Sequence, residues 1–294
     1  MNEAIFELIK KRTVLLDGGM GTELFKRGFP QGACPESWNV ERPEVVKEIH
    51  KSYYDAGSDA VLTNSFGGSR IKLSSYGLEK RCWELNYAAA KIGNEAKPKG
   101  RFLGGSIGPT GKFLKPQGDF SESEFEDAFA EQARGLAEGG VDFLLIETQY
   151  DLKEALCALR GARKASQLPV FVTMTFDHKP RGFFTMMGNS VAQCIKELEG
   201  QGVPAVGSNC NLNSEEMAEL VKAMRELTSL PVIAQANAGK PSLTDEGKVA
   251  YSQGLEDYLR FIPQIIQNGA NLVGGCCGTN PDYIKRMAAI IKPN

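Results

Sequence analysis

The sequence is short of histidine, with two in 294 residues, and equally short of tryptophan. So little histidine excludes a three-histidine zinc site and argues against a hydrolase built on a histidine base. His50, in Glu48-Ile49-His50-Lys51, reads as mid-helix and solvated, and His178 as a surface residue in a loop after an apolar run. No stretch approaches the roughly 18 consecutive apolar residues of a membrane helix. The opening residues MNEAIFELIK carry acids within their apolar stretch and lack a small-residue cleavage site, so they do not read as a secretion signal. The expectation is a soluble, cytoplasmic protein. Charge excess is also missing: 34 Lys and Arg face 36 Asp and Glu, and no basic run is dense enough to follow a phosphate backbone. Nucleic acid is not an expected partner.

Cysteine, by contrast, is present seven times, scattered along the chain in an odd number that does not suit a disulfide framework and leaves thiols free for chemistry. Apolar residues make up 42% of the chain, enough for a sizeable core, and 1–294 reads as one domain. Short apolar, β-branched runs recur at 13–19, 60–66, 101–107, 143–149, 170–176, 205–210, 232–238 and 272–277. Their near-continuous hydrophobicity suits parallel strands covered on both faces. Amphipathic stretches separate them, at 43–56, 82–96, 121–138, 152–166, 190–199, 214–228, 255–268 and 281–291, several closed by a glycine such as Gly57, Gly139 or Gly269. Eight β/α units predict an α/β fold, a single (β/α)8 barrel of the TIM type, because closure leaves no edge strand to protect.

Polar residues at strand C-termini then gain weight, since that end of a barrel carries the chemistry. The runs end in Asp17-Gly18-Gly19, Thr63-Asn64, Glu147-Thr148, Asn209-Cys210 and Cys276-Cys277. Cys210, Cys276 and Cys277 supply three soft ligands, the number a catalytic zinc uses when its fourth position is kept for substrate, and flanking glycines let two adjacent side chains reach one ion. Buried cysteines that merely fill a core would give the same spacing. Cys34, Cys82, Cys157 and Cys194 fall on expected loops or helices and read as structural. Asp17-Gly18-Gly19-Met20-Gly21 is no dinucleotide loop, because Leu24 stands where a third small residue is required. Its turn offers N–H groups to a carboxylate, while Asp17 and Glu147 offer charge to an ammonium; equally, Asp17 caps a turn and Glu147 pairs with a nearby cation.

Taken together, LLDGGMGTEL at 15–24, CPESWNVERPEVV at 34–46, GSDAVLTNSFG at 57–67, SIGPTG at 106–111, GSNC at 207–210, NAGKP at 237–241 and GGCCGT at 274–279 resemble the homocysteine S-methyltransferases. That family includes the homocysteine module of cobalamin-dependent methionine synthase and betaine–homocysteine methyltransferase. The resemblance implies Zn2+ on Cys210, Cys276 and Cys277, binding homocysteine through its sulfur. It further implies that Asp17, Gly18, Gly19, Thr63 and Glu147, with Asn237 of NAGKP, contact the amino acid. Betaine-type members place an aromatic residue where Gly67 stands, and Gly67 cannot form such a cation–π cage. CPES-x-NV is closer to the methionine synthase module, whose methyl donor is methylcobalamin. With no further domains within 294 residues, the expectation is a zinc-dependent methyltransferase giving methionine, either an excised module or a separate protein served by a corrinoid protein. The alternatives are another donor or acceptor, such as S-methylmethionine. One departure bears on them: 181–188, RGFFTMMG, is bulkier and more apolar than the matching loop of the methionine synthase module.

Overall fold

The computed structural model describes residues 3–243 and 249–292. Its main sheet has eight parallel strands, β1 (Val14–Leu15), β2 (Ala60–Leu62), β3 (Phe102–Ile107), β4 (Phe143–Gln149), β5 (Val170–Met174), β6 (Val206–Asn209), β7 (Val232–Ala236) and β8 (Ala270–Gly275). Hydrogen bonding runs in the order β1-β8-β7-β6-β5-β4-β3-β2, which curls the sheet into a nearly closed (β/α)8 barrel. Backbone and side-chain hydrogen bonds together stitch the seam between β1 and β2. The Asp59 N–H donates to Leu15 O at 2.7 Å, and the Leu62 N–H donates to Asp17 Oδ2 at 2.8 Å.

Each of the eight expected runs overlaps a barrel strand, the eighth starting two residues inside its strand. The helices follow from ordinary end signals: capping boxes at Ser121/Glu124, Ser190/Gln193 and Asn213/Glu216 start Glu122–Gly139, Val191–Gly200 and Ser214–Arg225, and Asp151 caps Leu152–Ala165. Two details differ from the sequence reading. Gly140, not Gly139, takes the left-handed turn after its helix (φ 98°). The stretch read as 255–268 is two helices, Leu255–Arg260 and Ile262–Gln267, interrupted at Phe261 because Pro263 cannot donate an N–H into a continuing helix.

His50 is the larger correction. It lies in Pro43–Asp55, but on the packed face, fully buried with neither ring nitrogen hydrogen-bonded. Val45, Val46, Ile49, Tyr53 and Tyr54 are buried on the same helix, and the 3.6-residue period carries position 50 inward with them. His178 is exposed as expected, stacked on Phe183 at 4.5 Å between centroids.

Two cores hold the barrel. Inside, Leu16, Leu62, Phe143, Leu145, Phe171, Ile233 and Leu272 pack together, with Ile5 and Ile9 of the helix Glu3–Lys11 in the same cluster. Outside, helices and strands share a larger layer containing Phe125, Phe129, Leu159, Val221 and Tyr258. At the strand N-termini, buried Asp59 binds Arg12 at 2.7 Å, Lys292 at 2.8 Å and Arg101, linking the beginning of the chain to its last helix. No helix among the described residues is long and apolar enough to cross a membrane.

Candidate functional site

A cavity of about 860 Å³ opens at the strand C-termini, lined among others by Asp17, Gly18, Gly19, Thr63, Glu147, Cys210, Cys276 and Cys277. These positions are spread over the whole chain and come together because β1, β2, β4, β6 and β8 end on one rim. Cys210 and Cys277 sulfurs are 3.8 Å apart, and the three sulfurs all lie within 4.8 Å of one another. Backbone geometry makes this possible. Cys210 and Asn211 both take positive φ (65° and 63°), turning Cys210 off the line of β6, while Gly275 and Gly278 flank the pair after β8. The Cys276 N–H donates to Ala236 O and the Ala238 N–H to Cys277 O, which fixes the cysteine turn to the end of β7.

Three thiols so close cannot all ionise unaided. Hydrogen bonds from Cys276 and then Cys277 favour the Cys210 thiolate against the cost of its burial, and their hydrogen bonds to that sulfur, with burial and its charge added, in turn push Cys276 and Cys277 up. The donor set therefore suits a soft divalent cation, whose charge would offset the mutual repulsion. A second cluster of potential ligands, Glu122, Glu126 and Cys157, does not: Arg160 binds all three and supplies the countercharge itself.

The carboxylates form the other half of the site. Burial pushes Asp17 well up; its Oδ2 holds Leu62, while Oδ1 is buried without a partner. Burial likewise pushes Glu147 up to about 7, opposed by a hydrogen bond from Ser106 and reinforced by charge on Cys210. Glu147 Oε2 also accepts from Asn209 at 3.1 Å. Thr63 accepts from the Ser106 N–H at 3.0 Å and bonds Ser65 at 2.6 Å; since Ser65 donates to Ser106 O, Thr63 is the donor in that pair, with only a lone pair left. Gly19 donates its N–H to Thr279 O at 3.3 Å. Asn237 is not on the cavity wall; its Oδ1 accepts from the Cys277 N–H at 3.1 Å.

The sequence profile described as homocysteine S-methyltransferase matches residues 14–291. The chain belongs to the homocysteine S-methyltransferase family. Similar curated members are the methionine synthases of Mycobacterium leprae (strain TN) and Mycobacterium tuberculosis (strain ATCC 25618 / H37Rv), each 31% identical over 98% of this chain. The chain spans 25% of the length of either relative. Among solved structures it resembles the metallated homocysteine methyltransferase MmuM from Escherichia coli, with a TM-score of 0.81 at 24% identity over 98% of this chain and 99% of that one. The carboxyl transferase domain of Rhizobium etli pyruvate carboxylase, in complex with pyruvate, is similar at a TM-score of 0.52 and 12% identity, covering 96% of this chain and 47% of that one. Both likenesses concern the fold.

Within this homocysteine S-methyltransferase barrel, the cavity wall includes residues that sequence reasoning did not weigh. Glu36 is buried with its Oε1 accepting the Gly67 N–H at 2.6 Å and its Oε2 accepting from Cys34 at 3.2 Å, and Lys72 and Tyr76 lie on the same wall. Glu36 sits inside the CPES segment, so a motif signal existed. Tyr251 has none: it reaches the site through a hairpin pairing Pro241–Leu243 with Val249–Tyr251. A second hairpin, Asp177–Lys179 with Gly182–Phe184, turns the apolar departure after β5 into an ordered arm exposing Met186 and Met187.

Proposed function

We propose that this chain holds zinc on Cys210, Cys276 and Cys277 and methylates the sulfur of homocysteine, giving methionine. The observation that carries the reading is one cavity lined by three clustered sulfurs and by Asp17, whose buried Oδ1 lacks a partner. Bound zinc would lower the proton affinity of an incoming thiol and so supply a nucleophilic sulfur at neutral pH, without a general base.

The chain's own residues bind and orient. Asp17 Oδ1 and Glu147 suit the ammonium of the amino acid, whose charge would relieve two buried carboxylates that otherwise resist ionisation. Thr63 offers the ammonium a lone pair. Gly18 and the turn beyond it suit the substrate carboxylate; the Gly19 N–H is already engaged by Thr279, so this residue contributes chiefly by admitting the substrate close to its backbone. Glycine is also required by the turn itself, because a Cβ on Gly19 would lie 2.8 Å from Cys276 O. Asn237 acts behind the sulfurs and orients Cys277 through its backbone N–H.

The methyl group is proposed to come from methylcobalamin on a separate corrinoid protein or module. Support comes from the methionine synthases, of which this chain spans a quarter. Gly67 also lacks room for an aromatic cage, since a Cβ there would already lie 3.0 Å from Glu36 Oε1 and 3.3 Å from Lys72 Cγ. The test is metal analysis with homocysteine titration, first alone and then with methylcobalamin. Stoichiometric zinc, zinc-dependent homocysteine binding and methionine formation are expected. Homocysteine binding by metal-free protein as tight as by metal-loaded protein would overturn the zinc reading, and turnover with S-methylmethionine but not methylcobalamin would overturn the donor.

A further inference from the structure

Among the described residues only three that are not glycine take positive φ, Thr148 (56°), Cys210 (65°) and Asn211 (63°), and all three sit at strand ends around the cavity mouth. Two of them are consecutive. The Leu212 N–H donates to Cys210 O at 2.7 Å, so Asn211 is the centre of a three-residue turn of the rare positive-φ kind, which carries strain. Asparagine tolerates this region better than most residues, but cysteine has no such tolerance.

Strain of this sort persists only where the surroundings hold it. The two ends of the turn are tied to the end of β7: the Cys210 N–H donates to Gln235 O at 3.0 Å, and the Asn237 N–H donates to Leu212 O at 2.9 Å. Its middle is held from the β5 side by the Asn211 side chain. Asn211 Nδ2 donates to Phe176 O at 3.0 Å and to Asp177 Oδ1, at the foot of the hairpin arm. Phe176 is buried, which makes its carbonyl a fixed anchor, and the Asp177 carboxylate is held in turn by Lys179 at 3.1 Å.

We propose that Asn211 is a positioning residue for Cys210: by bridging the Cys210 turn to the foot of the arm, its carboxamide keeps the sulfur off the line of β6 and within reach of Cys276 and Cys277. This rests on the metal-binding reading given above. Asn211 does not line the cavity, so its effect on the site passes through Cys210. A tetrahedral ion needs its sulfurs at set separations, and a turn held in advance lessens the ordering that metal binding must impose.

Cobalt(II) substitution tests the assignment, because sulfur-to-cobalt charge-transfer bands report the bound thiolates independently of turnover. Asn211 is exposed, so its variants leave the core untouched. Asn211→Asp keeps the size and the tolerance of positive φ but sets a second carboxylate against Asp177. Co2+ affinity is expected to fall about tenfold, with a weaker charge-transfer band per bound ion. Adding Asp177→Asn swaps donor and acceptor across the same contact at the wild-type net charge, and should recover about threefold in affinity, the bond to Phe176 O staying broken. Asn211→Gly supplies positive φ without the carboxamide and should bind Co2+ at least about threefold more weakly than wild type. Wild-type affinity and spectrum in Asn211→Gly would show that backbone conformation alone matters and overturn the proposal, as would a swapped pair no tighter than Asn211→Asp. Either result leaves the metal site standing, whereas wild-type protein that takes up no Co2+ overturns that reading as well.

Discussion

Asn209 Nδ2 donates to Glu147 Oε2 at 3.1 Å and lies 3.8 Å from the Cys276 sulfur, so a single carboxamide joins the carboxylate and sulfur halves of the cavity. Its orientation is dictated by its other end: Oδ1 accepts from the Thr148 N–H and the Thr173 hydroxyl, both at 2.7 Å, which turns the amino group toward Thr148 Oγ1, at 2.7 Å, as well as toward Glu147 and Cys276. Asn209→Asp is nearly isosteric but would turn an acceptor toward Glu147 and Cys276. Metal affinity is expected to fall about tenfold or more, as outer partners of metal ligands typically show, with the fold intact by circular dichroism. Chelator competition measures it; wild-type affinity in the variant would remove Asn209 from the design of the site.

Glu147 should place a titration near neutrality in substrate binding. Its carboxyl is raised to about 7, first by burial, and only the ionised form can hold an ammonium. Homocysteine affinity should therefore drop as pH falls through 7, and Glu147→Gln should lose that inflection while binding more weakly at pH 8. Stability runs the opposite way. Between the ordinary carboxyl pKa of 4.5 and 7 the folded metal-free protein binds the proton better than the unfolded chain, so stability declines as pH rises across that window, by at most about 3 kcal/mol. Urea titrations of metal-free wild type and Glu147→Gln at pH 5 and pH 8 check the sign: the variant should gain relative to wild type at the higher pH.

Cys210→Ala, Cys276→Ala and Cys277→Ala should each lose stoichiometric metal and methyl transfer together. Cys194→Ala is the matched control, because its thiol is buried in a helix away from the cavity and pushed up to about 12 by burial alone. It should cost about 1 kcal/mol of stability and leave metal content unchanged. A metal-free yet active variant at any of the three site cysteines would sink the zinc reading.

How much of this could be read from residues alone depends on whether the signal is local. The barrel strands announce themselves because each is an apolar run between helix caps, and the rim chemistry follows from knowing which strand end faces the mouth. GGCCGT and the upstream Asn-Cys mark the sulfurs within a few residues. Tyr251 carries no such mark, since its place over Gly278 exists only through pairing with Pro241–Leu243. Asn237 is marked by its motif, but the motif does not say that its side chain faces the sulfurs rather than the cavity. Glu48 and Lys51 make the segment around His50 look like a wet face, whereas the helix period places it with Val46 and Ile49.

That buried histidine gives a prediction about acid stability. Burial lowers its pKa from 6.5 to about 4, and neither nitrogen has a hydrogen-bond partner. Between those values the unfolded chain takes up the proton and the folded one does not, so stability should fall as pH drops from 6.5 toward 4, by about 3 kcal/mol in all. His50→Leu should flatten this part of the pH profile and add about 1–3 kcal/mol near pH 5 by removing unsatisfied polar atoms. Urea midpoints across pH 4–7 decide it; parallel profiles for variant and wild type would contradict the assignment.

Asp59 tests the opposite end of the barrel, where stability rather than chemistry is at stake. Burial alone would raise its carboxyl pKa, but Arg12, the Leu15 N–H and Lys292 together bring it below the ordinary range. Asp59→Asn keeps the shape and deletes the charge, leaving Arg12, Arg101 and Lys292 to repel one another around a neutral amide. The three cations are 36%, 33% and 26% exposed, so water screens part of that repulsion, and a loss of about 3 kcal/mol is expected. Added salt should recover some of it, because screening weakens cation–cation repulsion, whereas in wild type salt weakens the attraction. The folded variant should bind metal with wild-type stoichiometry, since the sulfurs sit at the other ends of the strands. Urea unfolding at low and high salt, read beside metal analysis, measures both effects; a variant as stable as wild type at low salt would show that the knot does not hold the chain ends together.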